Sequence, residues 1–440
     1  MRRIGGLLIT TLAALPPSPL VAQQPPQQPS GQQLQVTLPD AVRRALQVQP
    51  AMVQADGDVR NAGAGYRVAL GAFLPSFTVS SSAARSNVSV IDRNTGLPVP
   101  PEYSYTTTLS ASLDLFTGFR RLANRRAAAA TTDAADAGYV NQQFQVTLQT
   151  KQAFYNALAT EELVRVAEAQ VKRTRQELQI SMDKLRAGSA TRSDSLRSAV
   201  DVGNARLALL QAQSNLAFAQ ATLGRQIGVD TPVRAAPDST LPAVPDTATL
   251  RAEVLARAPQ VRQADAQARA AGAQVWSARS QYFPSLSLSY GDNRQGTASP
   301  SFERFVGGGY PETFSWRFGL SWTLFNGFAR EQQQTSAAVA RDVAQSKADD
   351  TRRGVNAQLT QQLAALETAF AQLDIARSNV AATTEDMRVQ QERYRVGAAT
   401  ILDLLTSQAN LTQAQVSLVQ ARFNYVIARA TLEALVGREL

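Results

Sequence analysis

The sequence predicts a mainly α fold with a transmembrane β part, written as a duplicated repeat. Each half carries long coiled-coil helices and two strands, giving four strands per protomer. Three observations lead there. The phrase LFTGF at Leu115–Phe119 returns as LFNGF at Leu324–Phe328. Apolar residues recur every seven positions over long proline-free stretches. Just before each copy of the phrase, apolar and polar residues alternate strictly.

The duplication runs well beyond the phrase. The shift that carries Leu115 onto Leu324 also carries Pro50 onto Pro259 and Pro75-Ser76 onto Pro284-Ser285. Thr191 and Asp194 fall on Thr400 and Asp403, and Gly228 falls on Gly437. A fixed offset means one unit copied without net insertion, so the molecule is pseudo-symmetric. The repeats are expected at 36–228 and 247–440, joined by a Pro-rich linker at 229–246.

The chain opens Met1-Arg2-Arg3, continues apolar from Ile4 to Leu15, and reaches Leu20-Val21-Ala22. That order predicts a signal peptide at 1–22. The apolar run is too short to span a bilayer. A Gln- and Pro-rich segment at 23–35 is expected to be disordered. Neither cysteine nor histidine occurs anywhere. Their absence removes thiol nucleophiles, histidine bases and the usual zinc ligands, so neither metal nor cofactor is expected. The formal net charge of +9 is spread among acids and glutamines along helical segments. Such mixing describes solvated helix faces, and no nucleic-acid partner is expected.

No proline occurs from Glu102 to Thr231, nor from Glu312 to the C-terminus. Chain that long without proline is free to be helix. Val164, Val171, Leu178 and Leu185 fall seven apart; Leu359, Leu366, Leu373, Val380, Met387 and Tyr394 do the same in the equivalent register. A sustained seven-residue period favours supercoiled packing, although an ordinary soluble core shares it. Arg120–Ala187 and Ala329–Val396 read as unbroken helices, each on the order of 100 Å long.

Tyr103, Tyr105, Thr107, Leu109, Ala111, Leu113 and Leu115 share one parity, against Ser, Thr and Asp on the other. In the second half Phe314, Trp316, Phe318, Leu320, Trp322 and Leu324 do so more sharply. Period two means strand. Strands are expected at about 76–90, 103–115, 285–296 and 313–325. Their length and aromatic face suit a tilted crossing of an outer membrane; a soluble hairpin is the competing reading. The repeated phrase then marks the strand–helix junctions, with Gly118 and Gly327 easing the turn and Phe116, Phe119, Phe325 and Phe328 at the lipid interface. Four strands cannot close a barrel. Two copies would give a barrel filled by side chains, whereas three would give 12 strands and a lumen.

These residues bring the chain close to a known family. It resembles the TolC family of outer-membrane efflux and secretion channels over nearly all of its mature length. The carrying motifs are the two junction phrases, KLRAGSATRSD at Lys184–Asp194, YRVGAATILDLL at Tyr394–Leu405, and LVQARFNY at Leu418–Tyr425. The resemblance implies a homotrimer with a 12-stranded β-barrel in outer-membrane lipid, continued into the periplasm by an α-barrel. It implies a passive duct of a tripartite efflux or type I secretion system. Its partners would be a periplasmic adaptor (membrane fusion) protein and an inner-membrane pump or ABC transporter. It implies that adaptor hairpins dock at Gly188, Ser189, Ala190 and Thr191, and at Gly397, Ala398, Ala399 and Thr400. The aperture would fall at Asp403, Asp194 and Tyr394. The residues alone also read as helix capping, Thr-x-x-Asp with an acid in the first turn, and the two roles are compatible. Ala399 stands where some members have an arginine, and Thr406 where a second acid can occur.

A periplasmic coiled-coil adaptor or scaffold is the alternative, and it should lack duplicated amphipathic strands. No GxxxxGK[ST] loop is present, so energy must come from a partner. No enzyme is expected, since Ser193-Asp194-Ser195 lacks a His, Cys or activating Lys beside it.

Overall fold

A computed structural model describes residues 34–85, 87, 90–91, 96–99, 103–237, 257–297 and 311–440. The expected signal peptide, nearly all of the Gln/Pro-rich segment and residues 238–246 of the linker lie outside the described residues. The first repeat comprises β1 (Gln35–Val36), α1 (Leu38–Val48), α2 (Pro50–Gly71), β2 (Ser76–Arg85), the short pair β3 (Val90–Ile91) and β4 (Pro98–Val99), β5 (Tyr103–Thr117), α3 (Arg120–Arg186) and α4 (Arg192–Gln226). β6 (Arg234–Ala235) lies between the repeats. The second comprises α5 (Pro259–Arg279), β7 (Ser285–Thr297), β8 (Glu312–Ser321), α6 (Ala329–Arg395) and α7 (Ile401–Val436).

The two proline-free stretches are the helices α3 and α6, each 67 residues long. At 1.5 Å per residue both reach about 100 Å. Near the strands, α3 lies between α2 and α5, and α5 also packs on α6. Toward the far turns the order is α4, α3, α7, α6. Each protomer therefore presents four helices side by side along its whole length. Pro50 and Pro259 stand at the first position of α2 and α5, where the missing N–H costs nothing.

The densest core sits midway along the long helices. Phe154, Leu223, Leu359, Leu366, Tyr425 and Leu432 cluster there, with Val36 and Ala235 of the parallel β1–β6 pair and Val233 just before β6 in the same cluster. The N-terminal segment and the start of the linker thus wrap one level of the bundle. In α6 the seven-residue seam holds: Leu359, Leu366, Leu373, Met387 and Tyr394 are buried, and Val380 is half-buried. In α3 it drifts. Val164 and Val171 are buried, but Thr174, Glu177 and Ser181 then take the inner positions expected of Leu178 and Leu185. A 3.6-residue turn slips against a seven-residue repeat, and here the residues it brings inward are polar.

The strands form one antiparallel sheet in the order β2-β5-β7-β8, so the repeats meet at β5 and β7. Among the described residues the outer edges of β2 and β8 have no partner. β8 ends at Ser321, short of the expected 325, although β5 runs on to Thr117. The reason is pairing. Leu113–Thr117 is held by the start of β7, whereas the matching stretch after Ser321 faces no strand. β2 stops at Arg85, and most of 86–89 is outside the described residues.

Phe314, Trp316, Phe318 and Leu320 alternate along β8 on one face and are exposed, and Trp322 just beyond the strand is exposed too. An apolar stripe of this size on a water-facing sheet would be an aggregation site. No helix among the described residues is long and apolar enough to cross a membrane.

The first junction is a tight point of the backbone. Gly118 has φ 58°, and a Cβ built there would lie 2.4 Å from the Ser280 carbonyl oxygen. Gly118→Ala should therefore cost about 2 kcal/mol or more, from clash and left-handed strain together. Gly272→Ala, in open space on α5, should be neutral or gain up to about 1 kcal/mol. Thermal unfolding of the purified protein compares the two.

Candidate functional site at the helix turns and strand–helix junctions

The turns between the long and short helices are near-copies. Gly188 and Gly397 take φ of 73° and 82°, and an added Cβ at either would meet nothing within 4 Å. Their constraint is conformational rather than steric. Ser189 N–H donates to the Lys184 carbonyl at 2.9 Å, and Ala398 N–H to the Arg393 carbonyl at 2.8 Å, closing each helix C-terminus. Ala190 and Ala399 follow, and Ala399 rests on the buried cluster of Met387, Tyr394, Ile401 and Leu404.

Each next helix opens with a capping box. Asp194 N–H donates to Thr191 Oγ1 at 3.3 Å and Thr191 N–H donates to Asp194 Oδ2 at 3.0 Å. Thr400 and Asp403 repeat this at 3.2 and 3.0 Å. The threonine N–H and then its hydroxyl hold both carboxyls below the usual aspartate range, with Arg197 and Arg393 adding smaller pulls. Both acids are thus ionised and exposed at the positive end of a helix. Thr406 donates back to the Leu402 carbonyl at 2.8 Å and plays no part in the turn.

Lys184 brings the two turns together. Its ammonium donates to the Tyr394 carbonyl and lies 4.0 Å from the centre of that ring. Tyr394 is buried, its hydroxyl toward Ser181, and burial raises its pKa. Arg393 occupies the matching place in the second repeat but donates to its own turn, at the Ala398 carbonyl, 3.3 Å away. Sequence reasoning missed both cations. The signal was there as basic residues in the last turn of each long helix.

It also missed a polar knot two turns further in. Glu177 is 1% exposed. The Gln408 amide, turned so that its nitrogen faces the acid, donates to the carboxylate at 3.1 Å. Desolvation pushes the Glu177 pKa up to about 7, opposed by the Arg173 charge and reinforced by Asp201. Arg173 reaches across to Thr412 Oγ1 at 3.4 Å and Gln415 Oε1 at 3.5 Å.

At the strand–helix junctions Gly118-Phe119 and Gly327-Phe328 all take left-handed φ, between 58° and 69°. A phenylalanine there is strained, and its ring supplies the compensation. Phe116 and Phe119 meet edge to face at 5.3 Å, and Phe325 and Phe328 at 5.5 Å. Arg121 and Arg330, unnoticed in the sequence, lock the turn. Arg121 donates to the Leu115 carbonyl at 3.0 Å and the Ala72 carbonyl at 3.2 Å. Arg330 donates to Thr323 and Leu324 carbonyls at 3.0 and 2.9 Å and covers the Tyr282 ring.

A sequence profile described as outer membrane efflux protein matches residues 41–229 and again 250–438. The chain belongs to that family. It is 26% identical over 379 residues to the toluene efflux pump outer membrane protein TtgC of Pseudomonas putida, covering 84% of this chain and 77% of that one. It is 27% identical over 385 residues to protein CyaE of Bordetella pertussis, covering 86% and 79%. Among solved structures it is similar to the outer membrane protein VceC of Vibrio cholerae, with TM-score 0.78 and 20% identity over 92% of this chain and 97% of that one. The CmeC outer membrane channel of Campylobacter jejuni gives TM-score 0.78 and 18% identity, covering 91% and 85%. This efflux protein therefore resides in the outer membrane.

Glu177 gives the efflux protein a built-in pH dependence. Its folded pKa is raised above the unfolded value, so folding favours the protonated acid. Stability is greatest below the unfolded pKa and falls as pH rises toward about 7, by at most about 3 kcal/mol. Glu177→Gln should abolish that fall, making the variant the more stable above neutrality and little different at pH 4. Melting of the purified protein across this range reads it directly.

Proposed function

We propose that the chain is the passive exit duct of a tripartite efflux or type I secretion system. Three copies close the wall. The single observation that carries this is a four-stranded sheet open at both edges, continuous with a four-helix layer about 100 Å long. Four strands per copy make three the smallest ring that leaves a lumen, a 12-stranded barrel. A periplasmic adaptor would have no use for the aromatic stripe of β8. We ascribe no chemical step to the protein: its work is to conduct, and a partner transporter supplies the energy.

The turns at Gly188–Thr191 and Gly397–Thr400 are the docking tips for a periplasmic adaptor. Support comes from their exposure and from the open space over both glycines. A hairpin of a partner can approach the backbone there. The relatives' names speak of toluene and antibiotic efflux, of pyoverdine export, and of CyaE. They set the class of task for this chain, export across the outer membrane.

Asp403 and Asp194 set the charge of the aperture. Three copies of each, ionised by their capping boxes, would ring the narrow end with negative charge. Purified protein in planar bilayers should conduct, prefer cations and be blocked from the periplasmic side by a trivalent cation. Asp403→Asn should reduce both effects several-fold, and Asp194→Asn less. Unchanged selectivity and block in Asp403→Asn would confine this acid to capping its helix.

A further inference from the structure

Charge that is scattered along the chain is gathered by the fold into one band. Four helix ends stand next to the sheet: the last two turns of α2 and α5 and the first two of α3 and α6. α3 brings Arg120, Arg121, Arg125 and Arg126, α2 brings Arg67, α5 brings Arg279 and α6 brings Arg330. Against them stands one acid, Glu331. The connecting stretches 72–75, 118–119, 280–284 and 322–328 hold no charged residue. The whole chain has a formal net charge of +9, of which Arg2 and Arg3 supply two, so nearly all of the remainder belongs to this band. Two helical turns span about 11 Å. That is close to the screening length of roughly 8 Å in physiological salt, so these charges act together.

Most of the band is also unneutralised. Arg121 and Arg330 are committed to the junction clamps. Arg67, Arg120, Arg125, Arg126 and Arg279 are exposed, and among the described residues none has an acid as partner. Further along the helices the pattern reverses. Arg165, Arg186, Arg352, Arg353, Arg388 and Arg395 each pair with an acid three or four residues away. Exposed helices commonly neutralise their cations in this way. Five open arginines at one level repel one another unless something anionic lies alongside.

The aromatic residues indicate what lies alongside. Arg126 and Arg279 border a groove of about 570 Å³ lined with Ala129, Ala130, Gly272 and Ala273. Trp276 forms its wall, exposed, with the Arg279 guanidinium 5.3 Å from the ring centre. Arg120, Arg125 and Arg126 point to three sides of α3, about 100° or more apart, so cations reach both faces of the helix layer. Toward the helices, the wall passes from the exposed Phe318 and Leu320 to Trp322, Phe283 and Phe73, and then to the arginines. Hydrocarbon, interface and phosphate follow one another in the same order through a lipid leaflet.

We propose that this arginine band binds the phosphate headgroups of anionic phospholipid in the leaflet on the helix side of the membrane, with the groove of Arg126, Arg279 and Trp276 as its principal seat. Guanidinium groups fork onto phosphate oxygens, and each cation held near an anionic surface adds to the attraction. The inference rests on the sheet facing lipid, and adds which lipid its lower rim selects.

Vesicles of phosphatidylethanolamine containing a minor share of phosphatidylglycerol provide the test. The full protein is reconstituted into them and re-extracted in mild detergent at low salt, and the lipid it retains is measured by mass spectrometry. Phosphatidylglycerol should be enriched several-fold over its share of the vesicle, and high salt should remove the enrichment. Arg126→Gln/Arg279→Gln should lose at least half of it. Arg388→Gln/Arg395→Gln, toward the far turns and equal in charge lost, should keep it. Equal lipid proportions on protein and vesicle overturn the inference, and so does an equal loss in both double variants. Displacement of phosphatidylglycerol by millimolar inorganic phosphate makes the band a free-anion site and overturns the lipid assignment. Wild-type protein that leaves the vesicles in an alkaline wash overturns instead the lipid-facing reading of the sheet.

Discussion

A backbone N–H or C=O left without a partner in hydrocarbon costs several kcal/mol, and β2 and β8 each carry a row of them. A sheet with two free edges cannot rest in a bilayer. The same sheet bears Phe314, Trp316, Phe318 and Leu320 on one face, which water would not tolerate either. Lipid outside and further strands at each edge satisfy both demands at once. The duplicated architecture follows from that requirement, since a wall made of identical repeats can close on itself wherever one repeat fits the next.

The junction carries the consequence from membrane to periplasm. Strand must become helix within a few residues while staying in the wall, and two successive left-handed residues make the turn. The glycine accepts that conformation freely, while the phenylalanine accepts it under strain that ring contacts and the Arg121 or Arg330 clamp offset. From there the four-helix order is kept by exchanging short helices around the fixed pair α3 and α6: α2 and α5 near the membrane, α4 and α7 beyond. The repeats are alike in outline but not at their far ends. Lys184 ties the two turns together, whereas Arg393 closes only its own turn. The buried Glu177 belongs to α3 and has Asp386 as its counterpart on α6, an acid that instead accepts from Ser407. This asymmetry distinguishes the two helix pairs at their far ends.

Much of this was legible in the sequence because duplication made every signal appear twice. The long helices, the four strands and the capping threonines and aspartates were all readable from period, proline spacing and offset. Other features lay below that resolution. α2 and α5 were passed over because their seams are alanine, glycine and glutamine, without a strong apolar period. The inward turn of Thr174, Glu177 and Ser181 was hidden because a polar residue in a heptad reads as solvent-facing. Lys184, Arg393, Arg121 and Arg330 look like ordinary surface cations until the backbone shows what they reach. The early end of β8 could not be read from alternation alone, since alternation records which side chains face lipid and not whether a partner strand is present.

The central claim is that both sheet edges are paired in the assembled protein. Hydrogen–deuterium exchange of the detergent-solubilised assembly measures this directly, amide by amide. The account predicts that β2 and the stretch from Glu312 to Phe325 are protected as strongly as β5 and β7, including Trp322–Phe325, which lacks a partner within one chain. Rapid exchange confined to β2 and β8 beside slow exchange in β5 and β7 would contradict it.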